Sequence, residues 1–342
     1  MPAPTPLLAL LLLVCSNRTS AQQYYVYVAN ESDDTVSLVR FDQKTAASVR
    51  TIPVGNIPTE IEGPHGLAVS PDGRYWYVSL AHGQPFGSVD KYDTTTDQKI
   101  GSVTLDLFPA TMSVSRTTGL LYVANFNLHG TMEPSSVSVV DPERMMEVGR
   151  ITTGAMPHGS RLSPDGTKHY SVSMMGGTLH EVDALSLKAT RTLTTGRKPT
   201  WVVHHPHADR VFVADNGGDE IIEVDVTAWK ITRRIPADGA PYNLAVTPSG
   251  RRMVVTLKGA AAIGIYDVTT GLEIARLAST RSIPHGVTIS PDGRYAFVTA
   301  EGVGSEPGTV DVIDLSALTR VATANVGRQA GGIAFWKMAH TH

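Results

Sequence analysis

Three histidines occur in the same short phrase. Pro64-His65-Gly66, Pro157-His158-Gly159 and Pro284-His285-Gly286 each hold an imidazole between a residue of fixed φ and one without a side chain. Three imidazoles around one point can bind Zn²⁺ or Cu²⁺, or Fe²⁺ with a carboxylate. They can also move protons near neutral pH, where histidine titrates, and so serve a pocket without metal. A third reading is structural: the phrase is a duplicated consensus, and each ring bonds a neighbouring carbonyl or water. The residue types leave all three open. No Gly-rich phosphate loop precedes a helix, and no nucleophilic serine elbow is present.

The elements that position these residues come from a repeat. Pro64, Pro109, Pro157, Pro199, Pro241 and Pro284 are separated by 45, 48, 42, 42 and 43 residues, the period of a four-stranded propeller blade. After each proline a short strand leads to a turn such as Pro71-Asp72-Gly73, Pro164-Asp165-Gly166 or Pro291-Asp292-Gly293. Glycine supplies positive φ there. An aromatic or β-branched second strand follows, as in Tyr75-Trp76-Tyr77-Val78, then a short third and a polar turn into a fourth. No segment sustains a helical period, so the chain is all-β.

Residues 24 to 55 supply second, third and fourth strands but no first. The C-terminal end supplies an unmatched first strand, Ala330 to Phe335, in phase with the rest. Pairing of that strand with the N-terminal blade closes a seven-bladed β-propeller of four-stranded blades and removes open edges. The expected divisions are 1–21 as a signal peptide, 22–338 as the propeller and 339–342 as a short tail.

Tyr122-Val123-Ala124-Asn125 and Ser70-Pro71-Asp72-Gly73-Arg74, at this period, resemble the YVTN-type β-propeller repeat family over residues 24 to 336. That family includes exported binding proteins, surface-layer proteins, lactonases and domains of redox enzymes, so the resemblance implies a fold and leaves the chemistry open. It also implies that first strands line a central channel and that the residue after each proline faces its mouth. Those residues are His65, Ala110, His158, Thr200, Tyr242 and His285, with Gly331 from the closing strand. Loops between second and third strands open on the same face, and bring His82, His129, Glu301 and Glu306 towards it. Candidate metal ligands are therefore His65, His158 and His285. Candidate ligand-binding residues are Tyr242, Thr200, Asn125, His82 and His129. His285 followed by Glu301 is similar to the catalytic histidine and glutamate of streptogramin lyase propellers, with departures at Tyr242 and Ile283. Lactone hydrolysis is a further reading of the same fold. Asp215 and Asn125, at second-strand ends, are placed to cap loops. His204-His205-Pro206-His207 falls on the opposite face, as a solvated turn.

With 342 residues, 42% hydrophobic, the chain can build a large core. A formal net charge of −3 and the lack of any Lys/Arg run exclude a phosphate-collecting surface, so no nucleic-acid partner is expected. Leu7 to Val14 is too short to span a bilayer and fits a signal peptide cleaved after Thr19-Ser20-Ala21. A periplasmic or extracellular monomer follows, meeting a small molecule or protein at the channel face. Cys15 is the only cysteine. Val14 replaces the small residue a lipid anchor needs before it, so no anchor is expected. The mature chain then has no disulfide, no thiol nucleophile and no haem c attachment. Asn30-Glu31-Ser32 matches a glycosylation acceptor. Binding protein, propeller enzyme and structural surface module all fit this sequence.

Overall fold

The computed structural model describes residues 1, 22–57, 59–83, 86–128, 130 and 133–340. All of the expected signal segment except Met1, with Cys15, lies outside the described residues, as does His129.

Twenty-eight strands, β1 (Gln22–Asn30) to β28 (Ala330–His340), form seven sheets of four. Every sheet is an antiparallel meander joined in sequence, except the first, which has the order β28-β1-β2-β3, with β2 at Thr35–Phe41 and β3 at Ala46–Pro53. Innermost in the other six lie β4 (Pro64–Val69), β8 (Pro109–Val114), β12 (Pro157–Leu162), β16 (Pro199–His204), β20 (Pro241–Val246) and β24 (Ile283–Ile289). The seven-bladed reading therefore holds. The closing strand runs to His340, five residues beyond Phe335, so the first two residues of the expected tail are strand. Two 3₁₀ turns, Glu31–Asp33 and Lys258–Ala260, are the described helical segments. Among the described residues no helix is long and apolar enough to cross a membrane.

The turns form as their residues require. Gly73, Gly166 and Gly293 adopt φ of 72°, 71° and 71°. The preceding Ser70, Ser163 and Ser290 hydroxyls donate to Asp72, Asp165 and Asp292 and accept the amide that opens the second strand. The core lies between blades. Tyr24, Val26 and Phe41 of blade one pack on Tyr295, Phe297 and Val310 of blade seven, while Tyr27 and Leu38 pack on Trp76 and Val78 of blade two. Tyr27 stacks on Trp76 at 5.1 Å, and Trp76 on Tyr92 at 4.1 Å. The closing strand joins this set: Trp336 donates to Gly73 O at 2.9 Å and its ring meets Tyr27 at 5.5 Å.

Truncation after Gln329 removes the partner of β1 and exposes its edge. Loss of a cooperative thermal transition is expected by circular dichroism; an unchanged melt would show that the ring does not need β28. Trp336→Ala, at a half-buried site, is expected to cost about 2 kcal/mol in urea unfolding, below the usual range for buried aromatic truncations.

Candidate functional site

Each inner strand is kinked just after its proline. Register shifts fall between Pro64 and Leu67, Pro157 and Ser160, and Pro284 and Val287. Such a bulge re-aims the side chain it carries. The following glycine is needed for a separate reason. A Cβ on Gly66 would lie 2.0 Å from Ala110 O of the next blade, and one on Gly332 would lie 2.0 Å from His65 O. Glycine is thus required where the next blade comes this close, whereas the residue after the proline varies, as Ala110, Thr200 and Tyr242, which Thr111, Trp201 and Asn243 follow in place of glycine.

The three histidines and Tyr242 meet on the axis. Ring centroids are 5.9 Å apart for His65 and His158, 5.6 Å for His65 and His285, 5.4 Å for His158 and Tyr242, and 4.9 Å for Tyr242 and His285. Phe108 and Phe126 pack on their edges, at 5.4 Å from His65 and 5.1 Å from His158. They belong to an apolar cluster with Met156 and Met174.

Hydrogen bonds fix which ring atoms face inward. His65 Nδ1–H donates to Glu31 Oε2 at 2.9 Å, and His82 Nε2–H donates to the other oxygen of Glu31 at 2.6 Å. His285 Nδ1–H donates to Glu301 Oε1 at 2.6 Å, and Lys258 Nζ stands 3.3 Å from the same oxygen. His158 Nδ1–H donates to Thr200 O at 3.0 Å, so its Nε2 accepts the Tyr242 hydroxyl at 3.1 Å. His65 and His285 thus keep an Nε2 without a protein partner among the described residues, on the ring edge away from their carboxylates. His158 does not. Among the described residues no three His, Cys, Asp or Glu side chains are placed to hold one metal ion.

Burial sets the charges. Enclosure pushes His158 well below the ordinary histidine value, and the neighbouring His65 adds to this. His285 is lowered by burial and by Lys258, against the pull of Glu301. Burial would raise Glu301, but His285 and Lys258 outweigh it and hold the carboxyl at about 2. Glu31 is likewise lowered despite burial, through His65 and His82. Burial raises Tyr242, with Glu301 and Glu31 adding to it. Burial thus favours the neutral His285 imidazole while Glu301 beside it is held ionised.

Other expected positions fall elsewhere. Thr200 is buried and donates to Tyr242 O at 2.7 Å, which makes it a brace between blades. Asn125 is fully buried, and its amide donates to Ser136 and Ser138 hydroxyls, not to loop backbone. Asp215 does cap a loop, accepting from the Arg197 and Lys198 amides. Asn30 is also fully buried and bonded to Thr35 and Ser37, so its sequon is not exposed for glycosylation. His205 and His207 bond the carbonyls of Gly250 and Pro248. Glu31 and Lys258 escape a sequence reading because they lie in three-residue turns without a repeat signature. Glu31 sits inside the apparent sequon.

Neither protein-family models nor curated proteins match this sequence. Among solved structures the chain is similar to Kuenenia stuttgartiensis hydrazine synthase, at 19% identity and a TM-score of 0.68, over 85% of this chain and 95% of that one. A likeness at that identity concerns the propeller fold alone.

Acid should destabilise this site from a known point. His158 and His285 are lowered on folding, so the unfolded chain takes up their protons first as pH falls below about 6.5. Their stabilising effect is complete above that pH and is lost below it. Glu301 adds a second loss as pH falls from about 4.5 towards 2. Urea midpoints should fall from pH 7.5 to 5. His158→Gln should flatten that slope by up to about 1.4 kcal/mol per pH unit; equal slopes in both proteins would refute the assignment.

Proposed function

We propose that this chain is an exported propeller that binds a small molecule at the histidine-lined mouth, through Nε2 of His65 and His285. The observation that carries this is the pair of imidazoles 5.6 Å apart, each anchored at Nδ1 by a buried carboxylate and without a protein partner at Nε2. A carboxylate behind an imidazole fixes its tautomer and strengthens the lone pair in front. The two Nε2 atoms accept hydrogen bonds from O–H or N–H groups of a ligand. Phe108 and Phe126 offer apolar surface beside them. Export rests on the Leu7–Val14 run and the small residues at 19–21.

A second reading is favoured by the 2.6 Å contact of His285 with Glu301. An imidazole so oriented is equipped as a general base, as a propeller lyase or lactone hydrolase requires. Tyr242 and Ile283 stand where streptogramin lyase propellers carry a further histidine and an acid.

Long-range ¹⁵N spectra of the histidine rings test the binding reading. A panel of small hydroxylated and amine compounds should contain members that shift Nε2 of His65 and His285 together, and His65→Leu should weaken those members about tenfold. If none moves either signal, the proposal fails. Cyclic esters in the same panel test the enzyme, for which His285→Gln should lower turnover by about 10²-fold or more. For export, the secreted protein should begin at Gln22 by N-terminal sequencing; full-length product retained in the cytoplasm would refute it.

A further inference from the structure

We propose that the channel beneath the mouth binds a small oxyanion, held by the Arg161 guanidinium and the Asn243 amide. The inference rests on the reading of the channel as a ligand site and names the ligand's charge. Arg161 lies on β12 and projects into a cavity of about 30 Å³ that is also lined by His65, Thr111, Trp201, Asn243 and His285. That volume seats about two or three water-sized groups, enough for the oxygens that meet the guanidinium edge, and the cavity opens outward for the rest of an anion. None of the lining residues is acidic.

Arg161 differs from the arginines between blades. Arg191 pairs with Glu181, and Arg210 and Arg233 pair with Glu223. Arg161 pairs with no carboxylate among the described residues. Its guanidinium lies over the Trp201 ring at 4.2 Å. Nη1 donates to Ser160 O at 2.6 Å and reaches Met112 O at 3.5 Å. Nε and Nη2 are left without a protein acceptor among the described residues. Together they form the edge of the guanidinium that grips two oxygens of a carboxylate or phosphate by parallel bonds. Burial, with no acid to oppose it, lowers Arg161 to about 10. A half-buried guanidinium with no carboxylate partner among the described residues leaves that edge open to an oxyanion.

Asn243 is the second, independent observation. It is 3% exposed, yet its buried Oδ1 has no hydrogen-bond partner among the described residues. Its backbone is engaged through Thr256. Buried amides are rarely left so. Turned about its last bond, the group presents N–H to an anion. His65 and His285, whose Nε2 atoms have no protein partner among the described residues, line the same cavity. They favour an oxyanion that also carries an O–H, such as hydrogen phosphate or a small hydroxy acid.

Calorimetric titration of the purified protein with inorganic phosphate, sulfate, acetate and glycolate, near pH 7.5 in a buffer free of other oxyanions, tests this. At least one should bind in the millimolar range or tighter, and phosphate against glycolate identifies the source. Arg161→Met should weaken binding about tenfold or more, and without anion should melt no lower than the parent, since it removes a desolvated charge. Arg161→Lys, which keeps charge without the fork, should weaken binding as well. No binding by any of the four, or equal affinity in Arg161→Met, overturns the inference. Oxyanion binding that persists in His65→Leu/His285→Leu but not in Arg161→Met keeps the inference and removes the mouth reading. Ligands that move His65 and His285 equally well in Arg161→Met do the reverse.

Discussion

The junction between β1 and β28 is the contact on which both ring and site depend. It joins residues about 300 positions apart and must offset a large loop-closure entropy. Burial does most of this, because the same strands complete the apolar layers against blades two and seven. The junction also places the key acid. Glu31 follows β1 directly, and its amide donates to Gln329 O just before β28. Asn30 accepts from Gly327, and Asp33 from Arg328. The carboxylate that orients His65 and His82 is therefore fixed by ring closure itself.

A second constraint acts at the inner strands of blades two, six and seven. Neighbouring strands approach so closely near the axis that a bulged amide and a facing carbonyl must both be satisfied in little space. One hydroxyl does it. Ser79 accepts from Gly66 N and donates to Ala110 O; Thr299 accepts from Gly286 N and donates to Gly331 O; Thr256 accepts from Asn243 N and donates to His285 O. The second of these spans the closure. Each removes a buried unpaired donor that would cost about 1–3 kcal/mol. These braces make the mouth rigid, so the histidines are held by backbone on both sides.

The fold was legible in the sequence because its signals are local and repeated. Proline phase, Pro-Asp-Gly turns and an orphan strand at each end suffice to count blades. His65, His158 and His285 were legible for the same reason, being copies of one phrase. Their partners were not. Glu31 and Lys258 sit in three-residue turns with no repeat signature, and what brings them to the histidines is the third dimension. Asn125 departs from the loop-capping expectation because a strand-end side chain can turn to the loop or to its cross-strand neighbours, and Asn30 takes the second course as well. Here Ser138 and Ser37 supply a second hydroxyl two residues along, and the amide bridges both. Asp215 has Glu220 and Ile222 at those places, with no hydroxyl to bond, and turns to the loop amides.

Tyr242 explains why three histidines do not make a three-ligand site. It occupies the slot between His158 and His285, touches both rings, and gives its proton to His158 Nε2. A cation there would have to displace that hydrogen bond and draw a ligand from a ring held by Thr200 on its other side. The Lys258 ammonium, 4.2 Å over the Tyr242 face and 3.3 Å from Glu301, adds a positive charge that a metal ion would also meet. His65 and His285 remain as a pair of lone pairs with carboxylates behind them. Hydrogen-bond acceptors above and an unpaired guanidinium below give the channel a polarity along its axis. On the proposed reading, that polarity would favour a ligand with unlike ends over a symmetric ion.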